Sequence, residues 1–166
     1  TFYKSDSDLP PFDDYSMKNR TYRYFKGEAL YPFGFGLSYT NFNFSNLKLS
    51  KTKIKENESI NAEVTVTNNG NVASDDVVQL YLTHLSAGEN IPLYSLKGFK
   101  RITLAPGASQ KVKFTITPDM MKLVNSKGQS VLNPGKIKVS IGESLPSKRS
   151  EELGAAKPVE ALLMIQ

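Results

Sequence analysis

The chain has 166 residues, with 21 Lys or Arg against 16 Asp or Glu (formal charge +5) and a hydrophobic fraction of 39%. That size supports one core-bearing domain with something added, and the composition is ordinary for a globular chain. Cysteine is absent, which excludes a disulfide framework and a thiolate metal site, and no apolar run has the length of a membrane span.

Residues 1–29 make a poor independent unit. Thr1 to Lys4 read as the end of a strand begun upstream, and Ser5 to Asp14 as a turn-rich connector around Pro10-Pro11. Tyr15 to Phe25 then interleaves rings with basic groups. Sugar rings stack on Tyr and Phe faces and guanidinium groups bond hydroxyls, so Tyr15, Arg20, Tyr22, Arg23, Tyr24 and Phe25 are candidates for carbohydrate contact. The same rings suit packing against a neighbouring domain or the downstream strands, which is the preferred reading.

Tyr31 to Thr40, YPFGFGLSYT, comes next. Period-2 aromatics suggest a strand, yet Pro32 removes a donor while Gly34 and Gly36 weaken any ladder and permit positive φ. The expectation is a tight, buried junction in which backbone runs close to rings, built on Tyr31, Pro32, Phe33, Gly34, Phe35, Gly36 and Tyr39. Gly34-Phe35-Gly36 lacks the Lys-Ser/Thr of a phosphate loop and the third glycine of a dinucleotide fingerprint.

From Asn41 the pattern alternates. Phe42 and Phe44 share one parity and Leu47 and Leu49 the other, so a bulge near Ser45-Asn46 is needed to keep both pairs inward. Ile60, Ala62, Val64 and Val66 form a half-buried strand ended by Asn68-Asn69-Gly70-Asn71. Val78, Leu80 and Leu82 form the next inward row, bracketed by Gln79 and Tyr81. Leu96 to Leu104, Val112 to Ile116, Ile137 to Ile141 and Val159 to Ile165 follow, with turn signals between them and a polar connector from Ser144 to Lys157. Some seven or eight strands at this spacing predict an all-β sandwich with an irregular N-terminal segment.

Little here suggests chemistry. The acids come as neighbours, Asp13-Asp14, Asp75-Asp76 and Glu151-Glu152, in expected loops where they read as turn formers and solvated surface. His84 is the only histidine, so neither a metal site nor a triad is expected around it. Lys48, Lys51, Lys53 and Lys55 alternate with Leu49, Thr52 and Ile54 without interleaved aromatics, which reads as the wet face of an edge strand and not as a nucleic-acid surface. No catalytic residue, cofactor or metal is expected of this chain.

The run TYRYFKGEALYPFGFGLSYTNFNFSNL, then VTVTNNGNVASDDVVQLYL, LKGFKRITLAPGASQKVKFTI and NPGKIKVSIGES, resembles the C-terminal part of glycoside hydrolase family 3, the β-glucosidases and β-xylosidases. The resemblance implies an immunoglobulin/fibronectin-type-III-like sandwich over 41–166, with 1–40 as the irregular tail of a preceding, missing domain plus linker. It also implies an accessory, domain-bracing role in a retaining enzyme acting on plant-type oligosaccharides, with the catalytic carboxylates elsewhere in the parent chain. Partners would be those catalytic domains, with oligosaccharide and a homodimer through the parent as further candidates. The location would be periplasmic or extracellular. A carbohydrate-binding module and a non-catalytic protein-interaction domain are the alternatives.

Overall fold

In chain order the strands are β1 (Phe42–Leu49), β2 (Lys53–Ile54), β3 (Ile60–Asn68), β4 (Ser74–His84), β5 (Ser95–Leu104), β6 (Ser109–Ile116), β7 (Leu123–Val124), β8 (Ser130–Val131), β9 (Gly135–Gly142) and β10 (Val159–Ile165). Three short helices punctuate them: α1 (Thr21–Tyr24), α2 (Pro118–Met121) and α3 (Lys148–Glu152). The structure is a computed structural model that describes residues 1–85 and 91–166. One sheet runs β1-β3-β6 and the other β2-β10-β9-β4-β5, with β7-β8 a separate ribbon. The two large sheets share one apolar core, the all-β sandwich that the alternating pattern predicts.

The alternation reads directly onto the core. Ile60, Ala62 and Val64 of β3 sit opposite Ile116, Phe114 and Val112 of β6, and all six are buried. Facing them, Leu80 and Leu82 of β4 pair with Ile141 and Val139 of β9. The parity conflict in β1 resolves as expected. Phe44 pairs with Val66 but Lys48 with Glu63, the register shifting between Ser45 and Lys48. Asn46 takes φ 56° there, a conformation that Asn tolerates better than most residues. Leu47 and Leu49 therefore pack on the core together with Phe42 and Phe44.

Three expectations change. Asp75 and Asp76 lie in β4 and not in a loop. A cross-strand network forms on Asp75: the Thr103 hydroxyl donates to Asp75 Oδ1 at 2.5 Å and Arg101 Nε to Oδ2 at 2.8 Å. Glu151-Glu152 lies on α3, inside the connector read as polar coil. There Ser147 Oγ accepts from the Ser150 N–H at 3.3 Å and Ser150 Oγ donates to the Leu145 carbonyl at 2.6 Å, so the serines organise a buried corner. The third change concerns β4, where Gln79 and Tyr81 are as buried as Val78, Leu80 and Leu82. Both faces of this strand are covered.

The covering comes from the N-terminal segment, which has no strand of its own beyond a bridge between Phe2 and Tyr31. α1 and the chain after it run across the outer face of the five-stranded sheet. Tyr22 meets the Tyr81 ring edge-on at 6.4 Å, and the Leu96 N–H donates to the Tyr22 hydroxyl at 3.2 Å.

Inside the sandwich Phe114 bridges the sheets. A Cβ on Gly98 of β5 would lie 3.2 Å from Phe114 Cδ1, so the glycine makes room for the ring. Phe114→Ala is expected to lower stability by about 2–5 kcal/mol through the cavity it leaves, read as a lower urea midpoint with an unchanged slope.

Candidate functional site

The aromatic and basic side chains of residues 15–25 do not form one platform. Tyr15 is 90% exposed and stands clear of the others. Arg20 is turned onto its own segment, its guanidinium donating to the carbonyls of Ser16 (2.9 Å), Pro11 (3.3 Å) and Asp14. Tyr22 stacks on Phe33 with centroids 4.1 Å apart and planes 14° from parallel. Arg23 lies over the Tyr24 ring at 5.9 Å, and its carbonyl accepts from the Leu93 N–H at 2.6 Å. Phe25 meets Tyr3 edge-on at 4.8 Å. Of these, Tyr22 and Phe25 line a shallow cleft of about 330 Å³ together with Phe33, Tyr94 and Arg149. The segment therefore packs on the sandwich that follows it.

The junction holds through a few anchors. Pro32 and Thr40 are buried. The Leu145 N–H donates to the Phe33 carbonyl at 3.0 Å, and Phe35 stacks on Tyr31 at 6.3 Å. Gly34 has φ 74°, and a Cβ there would fall 2.2 Å from Gln79 Oε1. Its carbonyl accepts from Gln79 Nε2 at 3.1 Å, while the same nitrogen donates to the Glu143 carbonyl at 2.6 Å and Gln79 Oε1 accepts from the Tyr81 hydroxyl at 2.6 Å. Gly36, by contrast, is in open space. The expectation of a buried junction is corrected here: Leu37 is 90% and Tyr39 97% exposed, and Tyr31 and Phe33 are also exposed. Backbone bonds and Pro32 anchor the strip, leaving most of its rings outward.

Beside the junction lies a pocket of about 550 Å³, between the start of β1, one end of β4 and the stretch after α3. Asp76 and Glu143 line it. Gly142, the last residue of β9, lies opposite Gln79, and Glu143 follows it directly. Asp76 is 9% exposed, and its Oδ2 is buried with no hydrogen-bond partner. Burial, and then the nearby Glu143 charge, push the Asp76 carboxyl up to about 7. Burial also raises Glu143, against the Ala156 N–H that donates to its Oε1 at 2.6 Å. Arg101 lines the pocket too, but its charge is matched by Asp75.

Sequence reasoning missed this pair because Asp75-Asp76 resembled a turn. The available signal was parity, since Asp76 continues the inward row of Val78, Leu80 and Leu82. His84 stands apart at the far end of β4, its imidazole held below its ordinary range by burial and by Lys97.

A family profile described as a fibronectin type III-like domain matches residues 76–145. The xylan 1,4-β-xylosidase of Xylanibacter ruminicola is 36% identical over 154 residues, which is 92% of this chain and 17% of that protein. The periplasmic β-glucosidase of Salmonella typhimurium is 38% identical over 134 residues, covering 80% of this chain and 18% of its own length. The chain carries the C-terminal, fibronectin-like part of glycoside hydrolase family 3. A solved family 3 β-glucosidase from Bifidobacterium adolescentis superposes on 81% of it with a TM-score of 0.68 and 26% identity, using 18% of that structure. The family 3 chain described here thus spans under a fifth of the length of the curated relatives it matches.

Two outcomes test this geometry. Gly34→Ala is expected to destabilise by about 1–3 kcal/mol, because the positive φ and the Gln79 amide both reject a Cβ, which denaturant unfolding will show. For Asp76 the folded carboxyl binds its proton more tightly than the unfolded one. Its contribution is full below the unfolded value near 4 and is lost as pH rises through about 7. Stability should fall by a few kcal/mol, on the order of three pKa units, between about pH 4 and pH 8, and Asp76→Asn should flatten that slope in urea melts across the range.

Proposed function

We propose that the chain is the non-catalytic C-terminal brace of a retaining β-glucosidase or β-xylosidase that acts on plant-type oligosaccharides. The observation that carries this reading is coverage: the sandwich and its N-terminal strap account for 17–18% of relatives whose printed activities are those of β-xylosidases and β-glucosidases. Hydrolysis with retention requires two carboxyl groups about 5–5.5 Å apart across an accessible glycosidic bond. Asp76 does not suit that role, since its Oδ2 is sealed from solvent. The reacting groups belong, on this reading, to the part of the polypeptide outside these 166 residues.

Bracing works by burial. Residues 1–40 lie on the sandwich through Tyr22, Phe33 and Gly34 and turn Phe12, Tyr15, Leu37 and Tyr39 outward. Those outward groups form the contact surface for an adjoining domain, each contributing roughly 25 cal/mol per Å² of apolar area removed from water. A sugar platform on Tyr15, Tyr22, Tyr24 and Phe25 has weaker support, because Tyr22 already has Phe33 against one face and Tyr81 at its edge. The periplasm or cell exterior is the proposed location, supported by the periplasmic relative from Salmonella typhimurium. Among the described residues no helix is long and apolar enough to cross a membrane.

The test compares the protein encoded by the whole reading frame, the same protein cut before Phe42, and this chain alone on aryl β-glucoside and β-xyloside. The chain alone should release no sugar, and the cut protein should lose thermal stability. In the whole protein, joint Leu37→Ser and Tyr39→Ser changes should lower the melting temperature by about 2–4 °C with KM unchanged. Hydrolysis by the isolated chain, or full stability after the cut, would sink the reading.

A further inference from the structure

We infer that Asn69 is a latent deamidation site, kept closed because the fold holds the backbone nitrogen that the reaction needs. Asn69-Gly70 is the chain's one Asn-Gly pair and stands at the turn after β3. Glycine carries no side chain to obstruct ring closure onto the residue before it, so this asparagine is the one best placed to react. Asn69 is exposed to water, whereas Asn68 beside it is fully buried. The reaction is an attack within the chain. The Gly70 backbone nitrogen gives its proton to hydroxide and bonds to Asn69 Cγ, and the side-chain nitrogen leaves, protonated, as ammonia. The resulting succinimide takes up one water at either carbonyl carbon and opens to aspartate or isoaspartate at position 69. Neither an oxidant nor a cofactor enters.

The first step uses what the native turn has already committed. The Gly70 N–H donates to Asn68 Oδ1 at 3.0 Å, and the same oxygen accepts from the Thr40 hydroxyl at 2.5 Å. The Asn69 N–H is fixed on the Asn41 carbonyl at 2.8 Å. Gly70 is half-buried against Thr40, whose Oγ1 stands 2.0 Å from where a Cβ on the glycine would fall, so its nitrogen has little room to pivot toward Asn69 Cγ. Ring closure also consumes the Gly70 N–H and leaves the buried Asn68 oxygen one donor short, which is costly. The turn must therefore open before Asn69 reacts, and the rate follows the population of the opened turn. Isoaspartate then adds a backbone carbon between the Asn69 and Gly70 N–H groups. Their spacing no longer matches Asn41 and Asn68, and the tie between Thr40 and the end of β3 is weakened for good.

The experiment incubates this chain in mildly alkaline buffer, folded or in guanidinium chloride, and follows Asn69 by peptide mapping and by enzymatic methylation of isoaspartate. The unfolded chain should convert at Asn69 about tenfold or more faster than the folded one. Thr40→Val keeps the side-chain shape but deletes the hydroxyl that donates to Asn68, and should speed conversion in the folded chain about fivefold, the weight of one net hydrogen bond. Thr67→Val, which loses a hydroxyl shared with Ser109 at the surface, should leave the rate unchanged. Chain aged to full conversion should unfold at a lower urea midpoint than fresh chain. Should Thr40→Val fail to fold, the folded-to-unfolded ratio and the midpoint of the aged chain decide. The inference is overturned by equal rates in the two states, or by absence of product at Asn69 in the unfolded chain. A folded Thr40→Val no faster than Thr67→Val, or an aged chain as stable as the fresh one, also overturns it.

Discussion

Asn68 donates its amide hydrogens to the carbonyls of Val72 (2.8 Å) and Leu104 (3.0 Å) and accepts at Oδ1 from the Thr40 hydroxyl (2.5 Å) and the Gly70 N–H (3.0 Å). Its backbone is occupied as well, the N–H on Ala108 and the carbonyl on Gly107. This fully buried side chain therefore joins the start of β1, the turn between β3 and β4, the end of β5 and the turn before β6. Buried amides carry a heavy penalty when unpaired, so the network is favourable only with all its members in place. Gly70 belongs to it for a steric reason, since a Cβ there would fall 2.0 Å from Thr40 Oγ1. One end of the sandwich closes around this asparagine, and the end of the junction is fixed by it through Thr40.

Gln79 plays a matching part on the outer face of the five-stranded sheet. It reaches Gly34, Glu143 and Tyr81 at once, linking residues 45 and 64 positions away along the chain. The strap over residues 20–36 is thereby part of the sandwich's own packing. Burial on both faces also explains why Val78 to Leu82 reads as an almost unbroken apolar run where a half-solvated strand would alternate. Tyr81 shows the same environment in its hydroxyl, which burial pushes well above the ordinary phenol range.

How much was legible in the sequence follows from where each signal sits. Strands such as β3 and β6 were plain because one face meets the core and the other meets water, and the alternation records that contrast residue by residue. The kink in β1 was legible from the parity conflict between Phe44 and Leu47, which only an extra residue can resolve. That the strap's rings pack was legible, but which surface they pack on was not, since its contacts depend on residues dozens of positions apart and rings pack equally well on many surfaces. Exposure of Leu37 and Tyr39 misled for the same reason: aromatic and apolar content marks a contact surface without saying whether the partner lies within these residues. Asp76 was hidden by its neighbour, because Asp75 does lie at the surface, paired with Arg101, where both acids were expected to be solvated.

The extra residue in β1 has a bearing on how the molecule meets other copies of itself. Both large sheets are open, so β1, β6, β2 and β5 each present an unpaired edge. At β1 the kink bends the strand away from straight pairing, and Lys48 stands out beside it. At β5 the register slips opposite Leu80 and Tyr81, with Lys97 as the unmatched residue and Lys100 exposed further along. β2 is only two residues long and includes Lys53, and β6 shows Lys111 and Lys113 to solvent. A second sheet seeking to add itself to any of these borders would meet a bend, a short strand or a row of ammonium groups. Much of the net positive charge is placed where it keeps neighbouring molecules from zipping together into fibres.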